Sequence, residues 1–121
     1  MKKIFSLLLF ATLIFSSCAP KIHMSSYSID LSRYNSSGFF ITESNSVSFD
    51  YSPICLMGTQ GSGKQYIDRK LTKLSLDDVF DKFVDDCKSK GANAVINIKI
   101  SQNYGANENS FYISGMAVKR K

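Results

Sequence analysis

Three cysteines are the residues whose positions alone suggest chemistry. Cys18 closes a run that begins Met-Lys-Lys, continues through the almost wholly apolar residues 4–15, and ends in Ser16 and Ser17. A charged start, an apolar stretch and two small residues before a cysteine form an export signal. Cleavage before Cys18 would leave it as the new N-terminus, with acyl chains as its chemistry. Cys55 and Cys87 are the two remaining thiols. An oxidising compartment permits a disulfide between them. That bridge would close a loop of about 32 residues and contribute ~3–4 kcal/mol in the chain-entropy model. The alternative is two buried, unlinked thiols packing as small hydrophobes.

The remaining chemical candidates are weaker. Residues 58–65, Gly-Thr-Gln-Gly-Ser-Gly-Lys-Gln, nearly match the phosphate-binding loop, but Gln65 stands where a Ser or Thr hydroxyl must hold magnesium. Residues 65–70 also lack the cap and period of the helix that should follow. The segment is expected to be a hairpin-like turn, with no nucleotide. His23 is the only histidine, so no zinc site assembles within one chain. No Ser-His-Asp or Cys-His arrangement is supported, and Glu43 and Glu108 both fall in loops. Asp81, Asp85 and Asp86 lie together on one helix, where they are expected to form a solvated surface rather than a cation site. The expectation is therefore no catalytic residues, no metal, no cofactor and no enzyme.

The signal sets the frame for the elements that follow. A twelve-residue apolar helix over 4–15 rises only about 18 Å, short of the ~30 Å hydrocarbon layer, so it reads as a cleaved signal. An ordinary secretory cut after Ala19 would place Pro20 just past the scissile bond; a cut before Cys18 avoids this. The run resembles a lipobox, with Phe15 where leucine is usual. Residues 1–17 are then signal, and the mature chain holds 104 residues, one domain's worth. The full chain has 15 Lys and Arg against 10 Asp and Glu, and loss of Lys2 and Lys3 leaves an excess of three. Lys119, Arg120 and Lys121 are the one basic run, read as a solvated tail or a weak contact with anionic head groups. No clustered basic face for nucleic acid is visible. The expected partners are a membrane, reached through the lipid, and further copies of the chain.

Residues 18–37 read as the lipidated cysteine and a Ser-rich tether. Tyr27, Ile29, Leu31 and Tyr34 are apolar enough for its second half to pack on the domain. Residues 38–121 form the domain. Residues 39–42 are a strand candidate, and 47–57 a second one interrupted at Pro53, which marks a bulge, an edge or a strand start. Residues 65–73 suit a short strand or a cover for the sheet. The clearest element is a helix over 76–90. Ser75 is its N-cap, and Leu76, Val79, Phe80, Phe83, Val84 and Cys87 fall on one stripe. Gly91 is its stop. Residues 92–101 alternate as a strand, with Ala94, Ile96, Ile98 and Ile100 expected on the buried face. Residues 110–119 complete a hairpin, with Gly115 marking a bulge or a close backbone approach.

Two C-terminal segments carry a resemblance. Gly91-Ala-Asn-Ala-Val-Ile-Asn-Ile98, following an amphipathic helix, resembles the helix-to-strand junction of the YbjQ-like family. Ser114-Gly-Met-Ala-Val-Lys119 resembles that family's last strand, and Phe40-Ile-Thr42 its opening. A similar junction occurs, more loosely, in the outer-membrane stress-sensor lipoprotein RcsF. The resemblance implies a two-layer α+β domain, with one helix on a small antiparallel sheet, often assembled into rings. The family carries a heavy-metal-binding label, but none of its ligand sets maps onto these residues. The expected function is a lipid-anchored envelope protein, on the outer membrane facing the periplasm. Its domain would be a binding or assembly module; the alternative is a metal-responsive or stress-sensing lipoprotein. Self-association is expected through the last strand, which has no later partner in the chain.

Overall fold

The helix is the element most fully dictated by local sequence. The side chain of Ser75 accepts a hydrogen bond from the Asp78 N–H (3.2 Å), Asp77 and Asp78 occupy the positive first turn, and Lys88 the negative last turn. Gly91, at φ 86°, closes it in the left-handed region. All six stripe residues, Leu76 to Cys87, are buried. The computed structural model describes residues 3, 20, 22, 24–105 and 108–121. Cys18, His23 and, Lys3 aside, the expected export signal lie outside them.

Among the described residues the elements are α1 (Ser32–Ser36), β1 (Phe40–Ile41), β2 (Tyr51–Ile67), β3 (Lys70–Lys73), α2 (Leu76–Ser89), β4 (Ala94–Tyr104) and β5 (Asn109–Arg120). The class is α+β. The strands form one sheet in the order β1-β4-β5-β2-β3. It is mixed rather than purely antiparallel, because β1 runs parallel to β4. Helix α2 covers one face of the sheet, where Phe80, Phe83, Val84 and Cys87 pack with Val95, Ile98, Phe111, Ile113 and Ala117.

The expected β4–β5 hairpin is present, but its pattern changes mid-strand. Asn97, at φ 53°, lies in a bulge where the register steps from Ile96↔Met116 to Lys99↔Ser114. One extra residue reverses the side-chain phase. Val95 therefore shares the helix-facing core with Ile98 and Ile100, whereas Ala94 and Ile96 enter a second cluster with Val118. The expectation of a single buried face bearing Ala94, Ile96, Ile98 and Ile100 is thus corrected. The bulge also frees two N–H groups, which the preceding loop satisfies: Asn97 donates to the Ser44 carbonyl and Ile98 to that of Thr42.

The second cluster is capped by the loop before β2, with Phe40, Val47, Phe49, Tyr51 and Met116 packed around it. Arg120 belongs to this cap. Its guanidinium lies 5.8 Å from the Phe40 ring centre and 5.5 Å from that of Phe49, and donates to the Gly38 carbonyl (2.9 Å). The terminal basic triplet is therefore not a free tail, although the Lys119 and Lys121 side chains are exposed. β5 runs through Arg120, and the Lys121 N–H bonds the Asp50 carbonyl.

The second half of the tether packs on the domain. Tyr34, on α1, is buried against Phe80, and Ile29 and Leu31 lie beside the same core. The Tyr34 hydroxyl donates to the Asp81 carboxylate, which also accepts from Arg33 (2.8 Å). Asp81 is therefore an anchor for this segment rather than idle helix surface. Burial, with the Asp81 carboxylate adding to it, pushes the Tyr34 hydroxyl far above its ordinary range. It stays a donor at any physiological pH.

Candidate functional site

The glycine-rich segment contains no turn. Residues 58–64 run straight through the 17-residue β2, and the reversal comes at Asp68 and Arg69. Gly58 and Gly61 are there for space, and Gly63 for its backbone, at φ 120°. A Cβ on Gly61 would stand 2.8 Å from both Leu74 and Val79, and one on Gly58 would stand 2.9 Å from the Tyr112 hydroxyl. An extended strand followed by a hairpin has neither the loop nor the helix N-terminus that cradles phosphate. Pro53 does mark a bulge, as the register steps between Pro53 and Cys55 against β5.

Cys55 and Cys87 both carry free thiols; Cys87 lies on the buried face of α2, and the half-buried Cys55 packs against the same core. Burial, with the neighbouring Cys55 and Asp86 adding to it, pushes the Cys87 thiol up to about 12. It is protonated and unreactive as a nucleophile at neutral pH. Lys82 pairs with Asp86 (3.0 Å) one helical turn on. Among the described residues, no group of three or more His, Cys, Asp and Glu side chains could hold a metal ion. None of the described helices is long and apolar enough to cross a membrane.

What the fold does concentrate is unpaired backbone. β5, expected to be the exposed edge, lies inside the sheet with β4 on one side and β2 on the other. A 12-residue strand so flanked has no edge to offer. The open edge belongs to β2. Its pairing with β3 is confined to Lys64–Ile67, so among the described residues the stretch from Tyr51 to Ser62 pairs only with β5. From Cys55 to Gly63 that edge carries no charge, although charge is the usual guard of an edge strand. Leu56 on it is 80% exposed. At the other side of the sheet, β4 is covered by β1 and the loop after it only as far as Ile98. Lys99–Tyr104 then pairs with β5 alone.

No family model matches the chain, and no curated protein matches it. Among solved structures, it is similar to a crystal structure of a protein of unknown function from Pediococcus pentosaceus that belongs to the DUF74 family. The two share 13% identity at a TM-score of 0.48, over 69% of this chain and 99% of the other.

Sequence reasoning missed this edge because it placed a turn where β2 continues. One signal was available. Residues 51–63 contain no Asn-Gly or Asp-Gly pair, the strongest short hairpin signal. Without such a pair, Gly58, Gly61 and Gly63 are compatible with one long strand.

Proposed function

We propose that this chain is a lipid-anchored protein of the bacterial cell envelope. It is held at the outer membrane, facing the periplasm, through acylated Cys18. Its domain is a non-enzymatic binding and assembly module of the YbjQ-like family. The order of residue types over 1–18 supports the anchor. The family reading is supported by the junction at 91–98 and the segment at 114–119, which meet across the β4–β5 bulge.

The assembly reading rests on the open, uncharged edge of β2. Over these twelve residues, the N–H and C=O groups that β5 does not use, with Pro53 offering no N–H, form a ready template for another strand. The shorter open stretch of β4 lies on the opposite side of the same sheet. Pairing one edge with the other, copy to copy, is a head-to-tail contact, which closes into a ring when the rotation allows. A ring also gathers several lipid anchors on one assembly, which strengthens attachment without new contacts.

Two measurements test the reading. Intact-mass analysis of protein taken from cells should show acyl chains on a chain that starts at Cys18. An unmodified chain starting at Ala19 or later would refute the anchor. Light scattering on the soluble chain from residue 19 onward should give several times the mass of one copy. Leu56→Lys should reduce it to a single copy with little loss of stability, because Leu56 is largely exposed and a lysine guards an edge. A single copy before the substitution, at high micromolar concentration, would remove self-association.

A further inference from the structure

The geometry points to the β2–β3 hairpin as a second membrane contact, which we propose docks on an anionic lipid surface beside the acyl anchor; this rests on the anchoring reading above. Residues 64–73 hold Lys64, Arg69, Lys70 and Lys73 against a single acid, Asp68. The same ten residues expose three apolar side chains: Tyr66 at 77%, Ile67 at 46% and Leu71 at 42%. The register sorts them. Tyr66 stands opposite Leu71, and Lys64 opposite Lys73. Positions two apart share a face, so one face presents an aromatic–aliphatic pair beside two lysines. Like charges directly opposed across a pair of strands disfavour the hairpin. They are an advantage only where something anionic meets that face.

The turn shows the same priority. Asp68 and Arg69 have φ of 49° and 64°, the left-handed pair of a two-residue turn that Asn-Gly would form with less strain. Arg69 instead sets a guanidinium at the very tip. A hairpin with a cationic tip and an exposed tyrosine matches an interface where phosphates meet hydrocarbon. Tyrosine and the apolar stems of lysine settle there, with the charged ends among the head groups.

The chain leading to the anchor passes the same place. Met24 and Ser25 line a surface depression with Lys73, Gln102, Asn103 and Tyr104. Lys73 is held at the base of the hairpin by donating to the Gly105 carbonyl (2.8 Å). Cys18 lies six residues before Met24, a span of at most about 21 Å fully extended. A lipid on Cys18 therefore enters its bilayer within that distance of the hairpin's base. Acyl chains at one point and a basic, partly apolar patch beside them make a two-part membrane contact.

The test uses the full chain purified from cells. The sequence has no tryptophan, so Tyr66→Trp supplies a single reporter. With phosphatidylcholine–phosphatidylglycerol vesicles, its emission should shift to the blue and be quenched by brominated acyl chains. With phosphatidylcholine alone it should do neither. Adding Lys64→Ser, on the same face, and Arg69→Asn, at the tip, should weaken the anionic response by about fivefold for each charge removed. Water-like, unquenched emission from protein that sediments with the vesicles and carries acylated Cys18 would overturn the hairpin contact and leave the anchor standing. Quenching from a chain whose Cys18 is unmodified would keep the contact and remove the anchor. A blue shift without vesicles that grows with protein concentration would also overturn the proposal, because a second copy would then cover Tyr66.

Discussion

Phe83→Ala should destabilise the domain by about 3–5 kcal/mol, read as a fall in the midpoint of a denaturant melt. Phe83 is fully buried at the centre of the helix–sheet contact, with the Phe80 ring centre 6.3 Å away. The backbone of Gly115 passes close beneath its ring. Truncation removes both its burial and its packing partners, and a sheet braced on both sides of β5 cannot collapse into the space. A domain of this size has a total stability of about 5–15 kcal/mol, so the variant should be close to unfolding. On the opposite face of the same helix, Asp81→Ala should cost about 1 kcal/mol, through the acceptor lost to the Tyr34 hydroxyl. Equal losses at the two positions would contradict the packing described for α2.

Gly115→Ala should cost about 1–3 kcal/mol, although it adds one methyl group. The backbone at Gly115 is not in a glycine-only conformation; the obstacle is space. A Cβ there would stand 2.7 Å from Val95 Cγ1, 3.4 Å from Phe83 Cζ and 3.5 Å from the Ile96 carbonyl oxygen. Two of those neighbours are held by the β4–β5 ladder and the bulge at Asn97, so they give little. Val95→Ala removes the closest atom. Combined with Gly115→Ala, it should therefore lose clearly less than the sum of the single losses, by about 0.5–3 kcal/mol. A strictly additive double variant would mean that Val95 is not what Gly115 makes room for.

Residues 76–91 could be read without a structure because their information is local. The Ser75 cap, the apolar spacing and the Gly91 stop act within a few residues of one another, and helical hydrogen bonds never leave the segment. The β4–β5 hairpin was legible for the same reason, since its partners are joined by a short loop. The character of the candidate site was not. Whether residues 58–63 turn or continue depends on what lies beside Gly58 and Gly61. Those neighbours are Tyr112 for Gly58, and Leu74 and Val79 for Gly61, and they arrive from other elements. Sequence patterning also left open which strand lies at the edge, because side-chain alternation is the same for a flanked strand and an open one. β5 became central when β2 came back to pair along nearly its full length, 46 or more residues earlier in the chain. The unguarded edge of β2, the phase reversal at Asn97 and the role of Asp81 all follow from such non-local pairings. Local sequence determines which segments can be helix or strand. Only the folded sheet decides which backbone groups remain unpaired, because each strand's hydrogen bonds are completed by residues distant along the chain.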